Sequence, residues 1–266
     1  MIVTGNVLPL ELETPAQYLF EVYGGLGRGF ERIEAENDWF ESNLRRAVPT
    51  WKLGSTANAA FRATIFYHPE IGLLDETLGA GTPTGCSEDT YLFYRVLKAG
   101  YTILYEPSVY VWHKHRSDMG ALRRQIYNYS KGHVAYHLIT WIRDHDLRGL
   151  LRLFMELPKA HLWRMKERLL GRSSYPLSLM FCEVMGHLAG PVALWRSHRR
   201  VKRQGPSKAC IPVMLRSSNV FISPVMKTGG AEEEADPLDG ARPAFKGVDG
   251  KHRSRSILNN LRPSGR

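Results

Sequence analysis

The chain has 266 residues, 43% of them hydrophobic and 23% charged, which is enough for one or two domains with a packed core and excludes a low-complexity or collagen-like chain. Its three cysteines, Cys86, Cys182 and Cys210, lie far apart, so the spacing offers neither a disulfide framework nor a metal cluster and fits a reducing compartment. The net charge of +10 is unevenly spread: residues 1–112 carry 8 Lys and Arg against 14 Asp and Glu, whereas residues 120–205 carry 16 against 5. An acidic body joined to a basic, partly apolar segment points to a partner such as an anionic membrane or a nucleic acid.

In chain order, Met1 to Pro9 reads as a strand ending at a turn. No basic region precedes an apolar run there, so no signal peptide is read. Thr14-Pro15 is a helix start with proline in the first turn, and Leu12, Ala16, Leu19, Phe20 and Tyr23 follow a helical period that Gly24-Gly25 ends. Gly24 to Trp51 is mixed and loop-rich. Small residues crowd Gly54-Ser55-Thr56-Ala57-Asn58-Ala59-Ala60-Phe61-Arg62. The backbone can approach a ligand closely there, with Asn58 as donor and acceptor, or the stretch is only a tight strand-to-helix turn. A short helix at Ala63–Tyr67, a turn at Gly72–Glu76 and a glycine-rich loop at Gly79–Gly85 follow.

Ser87-Glu88-Asp89-Thr90 then opens an amphipathic run to Leu97, closed by Lys98-Ala99-Gly100. Carboxylates are favoured at a helix N-terminus, so Glu88 and Asp89 are either caps or a functional acidic pair. A strand at Tyr101–Tyr105 leads to Pro107 and to His113 and His115. Beyond them the chain is helical and basic. One helix is expected over Met119–Arg143 and another over Leu147–Leu170, bent at Pro158 and patterned like an interfacial helix. Asp144-His145-Asp146 between them reads as linker surface. Leu177–Trp195 is near membrane-spanning length, but Glu183, His187, Gly190 and Pro191 interrupt it and a basic run to Arg203 follows. A re-entrant or in-plane helix is therefore expected rather than a span, with a buried helix pair as the alternative. Residues 205–266 read as mostly disordered, Ile211–Ile222 being a candidate hairpin.

Taken together, the 54–62 stretch, the 79–85 loop, Glu88-Asp89-Thr90, Arg95, Ala99-Gly100-Tyr101, Tyr105-Glu106-Pro107 and His113-Lys114-His115-Arg116 resemble the second half of a family 2 glycosyltransferase. The resemblance covers residues 1–116, reaches loosely into the helices after them and does not include the tail. It implies an α/β fold: a partial GT-A sandwich over residues 1–116, the acceptor-side half, then basic, membrane-associated helices over 117–204 and the tail. It also implies an inverting transfer of a sugar from a nucleotide-diphospho-sugar to an acceptor hydroxyl. Asp89 would be the general base and Glu88 would orient the acceptor or the loop. Gly54, Asn58, Gly81 and Arg116 would contact substrate, and the glycine-rich segment would close over the donor. His113, with His115 as second choice, would stand by Mg²⁺ or Mn²⁺ and the diphosphate. The implied partners are the donor, a glycan or lipid-linked acceptor and a membrane surface met through residues 120–203, with no nucleic acid. The implied place is the cytoplasm, peripheral or monotopic on the inner face of the cell membrane.

Members of that family also carry a nucleotide-binding half with an Asp-x-Asp motif whose carboxylates hold the hard cation. No such half precedes Met1, and the one Asp-x-Asp triplet is Asp144-His145-Asp146, past the histidines. On this resemblance the chain is expected to be incomplete: a sheet edge and an apolar face exposed, poor solubility, and no turnover of a sugar nucleotide by itself. The alternative is a truncated non-catalytic remnant or membrane-interaction module. A nucleic-acid binder is set aside, since the basic region carries no recognised binding motif.

Overall fold

The computed structural model describes residues 1–43 and 46–205, so the tail reading and its hairpin at Ile211–Ile222 fall outside the described residues. The fold is mixed α/β, a four-stranded sheet with seven helices among the described residues. β1 (Ile2–Pro9) runs parallel to β4 (Ile103–His113) and antiparallel to β3 (Ala59–Phe61), while β2 (Ile33–Ala35) pairs antiparallel with the other edge of β4. The order is β2-β4-β1-β3.

β1 pairs with β4 from Ile2↔Ile103 to Gly5↔Glu106, then jumps to Asn6↔Tyr110 and runs to Pro9↔His113. Pro107 lies in the residues skipped by that jump, where its missing N–H breaks no ladder. The strand is thus longer than the Tyr101–Tyr105 segment read from sequence, and its far end is His113. β2 and β3 lie in stretches read as loop and turn; three residues each are too few for an alternation to show.

α1 (Pro15–Tyr23) starts as expected. Thr14 Oγ1 accepts from Gln17 N at 3.3 Å and Gln17 Oε1 accepts from Thr14 N at 3.1 Å, a reciprocal capping box. Its Ala16 and Phe20 pack with Leu122, Tyr175, Leu179 and Met180 in a small second core. α2 (Asn37–Glu41) is one short turn. The main core forms where α3 (Glu88–Lys98) buries Leu92, Phe93, Val96 and Leu97 with Ile2 and Ile103 of the sheet and with Ala135, Tyr136 and Ile139 of α4 (Met119–Asp144).

Asp144 and Asp146 are not linker surface: their side chains are only 11% and 10% exposed. Tyr91 donates its hydroxyl to Asp144 at 3.0 Å and Tyr94 to Asp146 at 2.8 Å, and Arg148 closes on Asp146 at 2.7 Å. Two tyrosines buried on α3 need partners for their hydroxyls, and the aspartates supply them. α5 (Arg148–Leu151) runs through a π turn, Arg152–Glu156, into α6 (Leu157–Leu169). The wide turn falls just before Pro158, which cannot donate to the carbonyl of Phe154.

α7 (Leu177–Gln204) is one unbroken helix containing Pro191 and lies along α4. Gly190, which reads as an interruption, belongs to its contact stripe together with Gly186. A Cβ on Gly186 would stand 2.5 Å from Tyr127 O, and one on Gly190 would stand 2.5 Å from Val134 Cβ. Ala193 and Ser197 continue the buried stripe. Glu183 is neutralised within the fold by Arg164 and by the Tyr175 hydroxyl at 2.6 Å. The outer face carries exposed Phe181, Leu188, Val192 and Trp195. α7 is long and apolar enough to cross a membrane, with a mean hydropathy of 1.5 in its most apolar window, and is a candidate for membrane association.

Candidate functional site

A groove of about 540 Å³ is lined by the Gly24–Arg28 loop, the 51–57 segment, the 80–90 turn, His113, α4, α6 and α7. The acidic pair enters it through an unusual turn. Ser87 has φ 81°, a left-handed conformation that costs a non-glycine residue about 1 kcal/mol. Its hydroxyl caps nothing on α3, and the capping open to the acidic pair falls to Asp89. Asp89 Oδ1 accepts from Thr90 N at 2.7 Å and Thr90 Oγ1 at 3.3 Å, and Oδ2 accepts from Thr56 N at 3.3 Å. The last bond ties the acidic pair to the small-residue segment thirty residues upstream. Gly54 in that segment has φ +97°, and a Cβ there would stand 2.7 Å from Thr4 Cβ; glycine is required by the backbone whether or not a ligand is near.

Glu88 is half-buried. Burial, and then the neighbouring Asp89, push its carboxyl above the usual carboxylate range despite a bond from the Ala80 backbone. Adjacent carboxyls in unlike settings are the arrangement from which separate acid and base roles are built. Arg28 stands among them. Its Nε donates to Trp51 O at 2.7 Å, and its Nη1 donates to Gly27 O at 2.9 Å and Gly25 O at 3.3 Å. Burial lowers its pKa while Asp89, Tyr105, Tyr129 and Glu21 oppose that fall. At the sheet end, His113 lines the groove. Its Nδ1 is 3.2 Å from His115 Nδ1, and the buried His115 reaches Glu21 Oε2 through Nε2 at 3.0 Å. If Glu21 accepts from His115, then His113 donates from Nδ1 and its Nε2 keeps a lone pair. Burial, His115 and Arg116 all lower the His113 pKa.

Of the residues singled out from sequence, Glu88, Asp89, Gly54 and His113 come together on the groove. Asn58 does not: its Nδ2 donates to Asn6 O at 2.9 Å and Val109 O at 3.1 Å, holding the β1–β4 bulge, where an irregular ladder leaves carbonyls in need of donors. Gly81 is exposed and off the groove, whose lining from that loop is Ala80 and Gly85. Arg116 is exposed beside it and acts on His113 only through its charge. Among the described residues no group of three or more His, Cys, Asp or Glu is placed to hold a metal ion, and one nitrogen of His113 is already turned to His115. The residues present do not form the expected Mg²⁺ or Mn²⁺ ligand set.

No family model matches the chain, and no curated protein or solved structure matches it either.

The other end of the groove was not anticipated. Trp51, His133 of α4, Arg152 of the π turn, Arg164 of α6 and Glu183 and His187 of α7 line it. Burial, with Arg152 and His187, pushes His133 down to about 3. Burial, with His161, Arg164 and Arg152, pushes His187 down to about 4. Arg28 and Trp51 sit in the Gly24–Trp51 stretch that reads as mixed and loop-rich, the kind of segment that often carries function. His133 and His137, one helical turn apart, were the one local sign of an internal histidine face on α4.

Proposed function

We propose that the chain supplies the acceptor side of an inverting glycosyltransferase, which moves a sugar from a nucleotide-diphospho-sugar to an acceptor hydroxyl. The observation that carries this reading is the Glu88-Asp89 pair, set on a groove wall by the left-handed Ser87 turn and tied by Asp89 to Thr56. Asp89 takes the proton from the acceptor hydroxyl as the acceptor oxygen attacks the anomeric carbon; the bond from that carbon to the diphosphate oxygen breaks on the opposite face, the nucleoside diphosphate leaves with the bonding pair, and the single displacement inverts the centre. Glu88, whose carboxyl holds its proton more tightly, orients the acceptor or the 79–85 loop. His113 accepts a hydrogen bond at the sheet end.

The same reading places the protein on the inner face of the cell membrane, in the plane of the interface. Leu162, Trp163, Phe181 and Leu188 are 71%, 62%, 66% and 69% exposed, next to Lys166, Arg168, Arg196 and Arg199, the composition of an interfacial surface. A second reading, a membrane-interaction module without catalysis, draws on this belt alone. Membranes that natively contain the chain separate the two. Incubated with labelled nucleotide sugars, they should form a product of inverted anomeric configuration that membranes lacking the chain do not form. Equal transfer by both, or a retained configuration, contradicts the glycosyltransferase reading.

A further inference from the structure

The helix-lined end of the groove collects cationic and imidazole groups that the transfer step does not use. Arg152 pairs with Glu156 through Nη1 at 2.7 Å, lies 5.3 Å from the Trp51 ring, and leaves its buried Nε without a partner. Trp51 is 5.5 Å from the His133 ring, and His133 is 6.2 Å from the His187 ring. His187 Nδ1 is 3.0 Å from His161 Nε2, and the buried Nδ1 of His161, 4.0 Å from Glu183 Oε2, has no hydrogen-bond partner. Arg164 holds Glu183 on the same wall. Unpartnered buried polar atoms are costly in a core and ordinary in a site that awaits a ligand. Guanidinium forks and imidazoles around a pocket match the oxygens of a phosphate.

We propose that this end of the groove is a phosphate subsite, and that it holds the phosphate or diphosphate of a lipid-carried acceptor. The inference rests on the acceptor-side reading above and names the acceptor's class. The lipid follows from what borders the cluster. On α6 and α7, Leu162, Trp163 and Leu188, which follow His161 and His187 in the chain, are all strongly exposed. A chain leaving the subsite would lie along them, while the glycan end would extend through the groove toward Asp89. Burial chiefly depresses the pKa values of His133 and His187, and Arg152 adds to the fall at both rings.

The test is calorimetric binding to the full chain in mild detergent, using farnesyl diphosphate, inorganic pyrophosphate, farnesol and uridine diphosphate as probes. Farnesyl diphosphate should bind, pyrophosphate more weakly and farnesol not measurably, and Arg152→Gln should weaken farnesyl diphosphate about tenfold. Arg164 also holds Glu183, so Arg164→Gln is paired with His187→Gln, which leaves that ion pair in place and should weaken binding several-fold. No binding of farnesyl diphosphate, or equal binding by all three variants, overturns the subsite. Uridine diphosphate that binds tighter than farnesyl diphosphate and loses affinity in Arg152→Gln assigns the cluster to a nucleotide and overturns the lipid source. Phosphate binding without any transfer by native membranes leaves the subsite standing and sinks the transfer reading. Chain-dependent transfer without phosphate binding does the reverse.

Discussion

Ser87 is the residue on which the geometry of the acidic pair turns. Its φ of 81° is one that glycine adopts freely and a β-branched side chain resists. Ser87→Gly should keep or slightly raise stability in urea unfolding, whereas Ser87→Val should cost about 1–3 kcal/mol. Equal midpoints for the two would show that the turn is not strained. Asn58 makes the contrasting case. Asn58→Ala removes donors from the carbonyls of Asn6 and Val109 and should destabilise the fold by about 1–3 kcal/mol without changing ligand binding. At this scale, Glu88-Asp89 was legible because a helix start leaves a local pattern. Arg28, Trp51 and His187 were not legible, because they reach the groove through contacts between segments far apart in sequence.

Among the elements, α1 and α4 were readable from caps and period, as Thr14, Pro15 and the apolar positions of α4 show. α7 was readable as a helix but not in its role. Glycines and a proline in an apolar run look like breaks until a partner helix is present, and it is α4 that makes Gly186 and Gly190 contact positions. Gly190→Leu should overpack that contact and cost about 1–3 kcal/mol or more, seen as a lower melting temperature. Acid should loosen the same region. His133 stands at about 3 in the fold against an ordinary value of 6.5. The unfolded chain therefore takes up its proton first, and stability is complete above about 6.5 and falls as the pH drops toward 3. His187, at about 4, acts in the same direction. A urea midpoint that does not fall between pH 7 and pH 4.5, or that falls equally in His133→Gln, would contradict this origin.

For the whole molecule, the charge division seen in the sequence corresponds to a sheet-bearing body and a basic helical layer. The sheet is open at its β2–β4 side. Among the described residues β2 pairs only with Ile103–Tyr105 of β4, and Val109, Tyr110 and Trp112 farther along are 51%, 54% and 60% exposed. Such an edge promotes self-association, so Trp112→Lys should raise the monomer fraction in sedimentation velocity. The exposed belt of α6 and α7 should carry the protein up with anionic vesicles in flotation and less so with neutral ones; identical flotation with both would remove charge from the account.

The central claim is that Asp89 is the base of a sugar transfer, and membranes lacking the native chain test it most directly when complemented with wild type or with Asp89→Asn. Wild type should restore transfer, and Asp89→Asn should restore about 10²–10⁴-fold less while reaching the membrane in equal amount and retaining nucleotide sugar equally well. Transfer by Asp89→Asn at the wild-type rate would contradict it, as would loss of donor retention along with transfer.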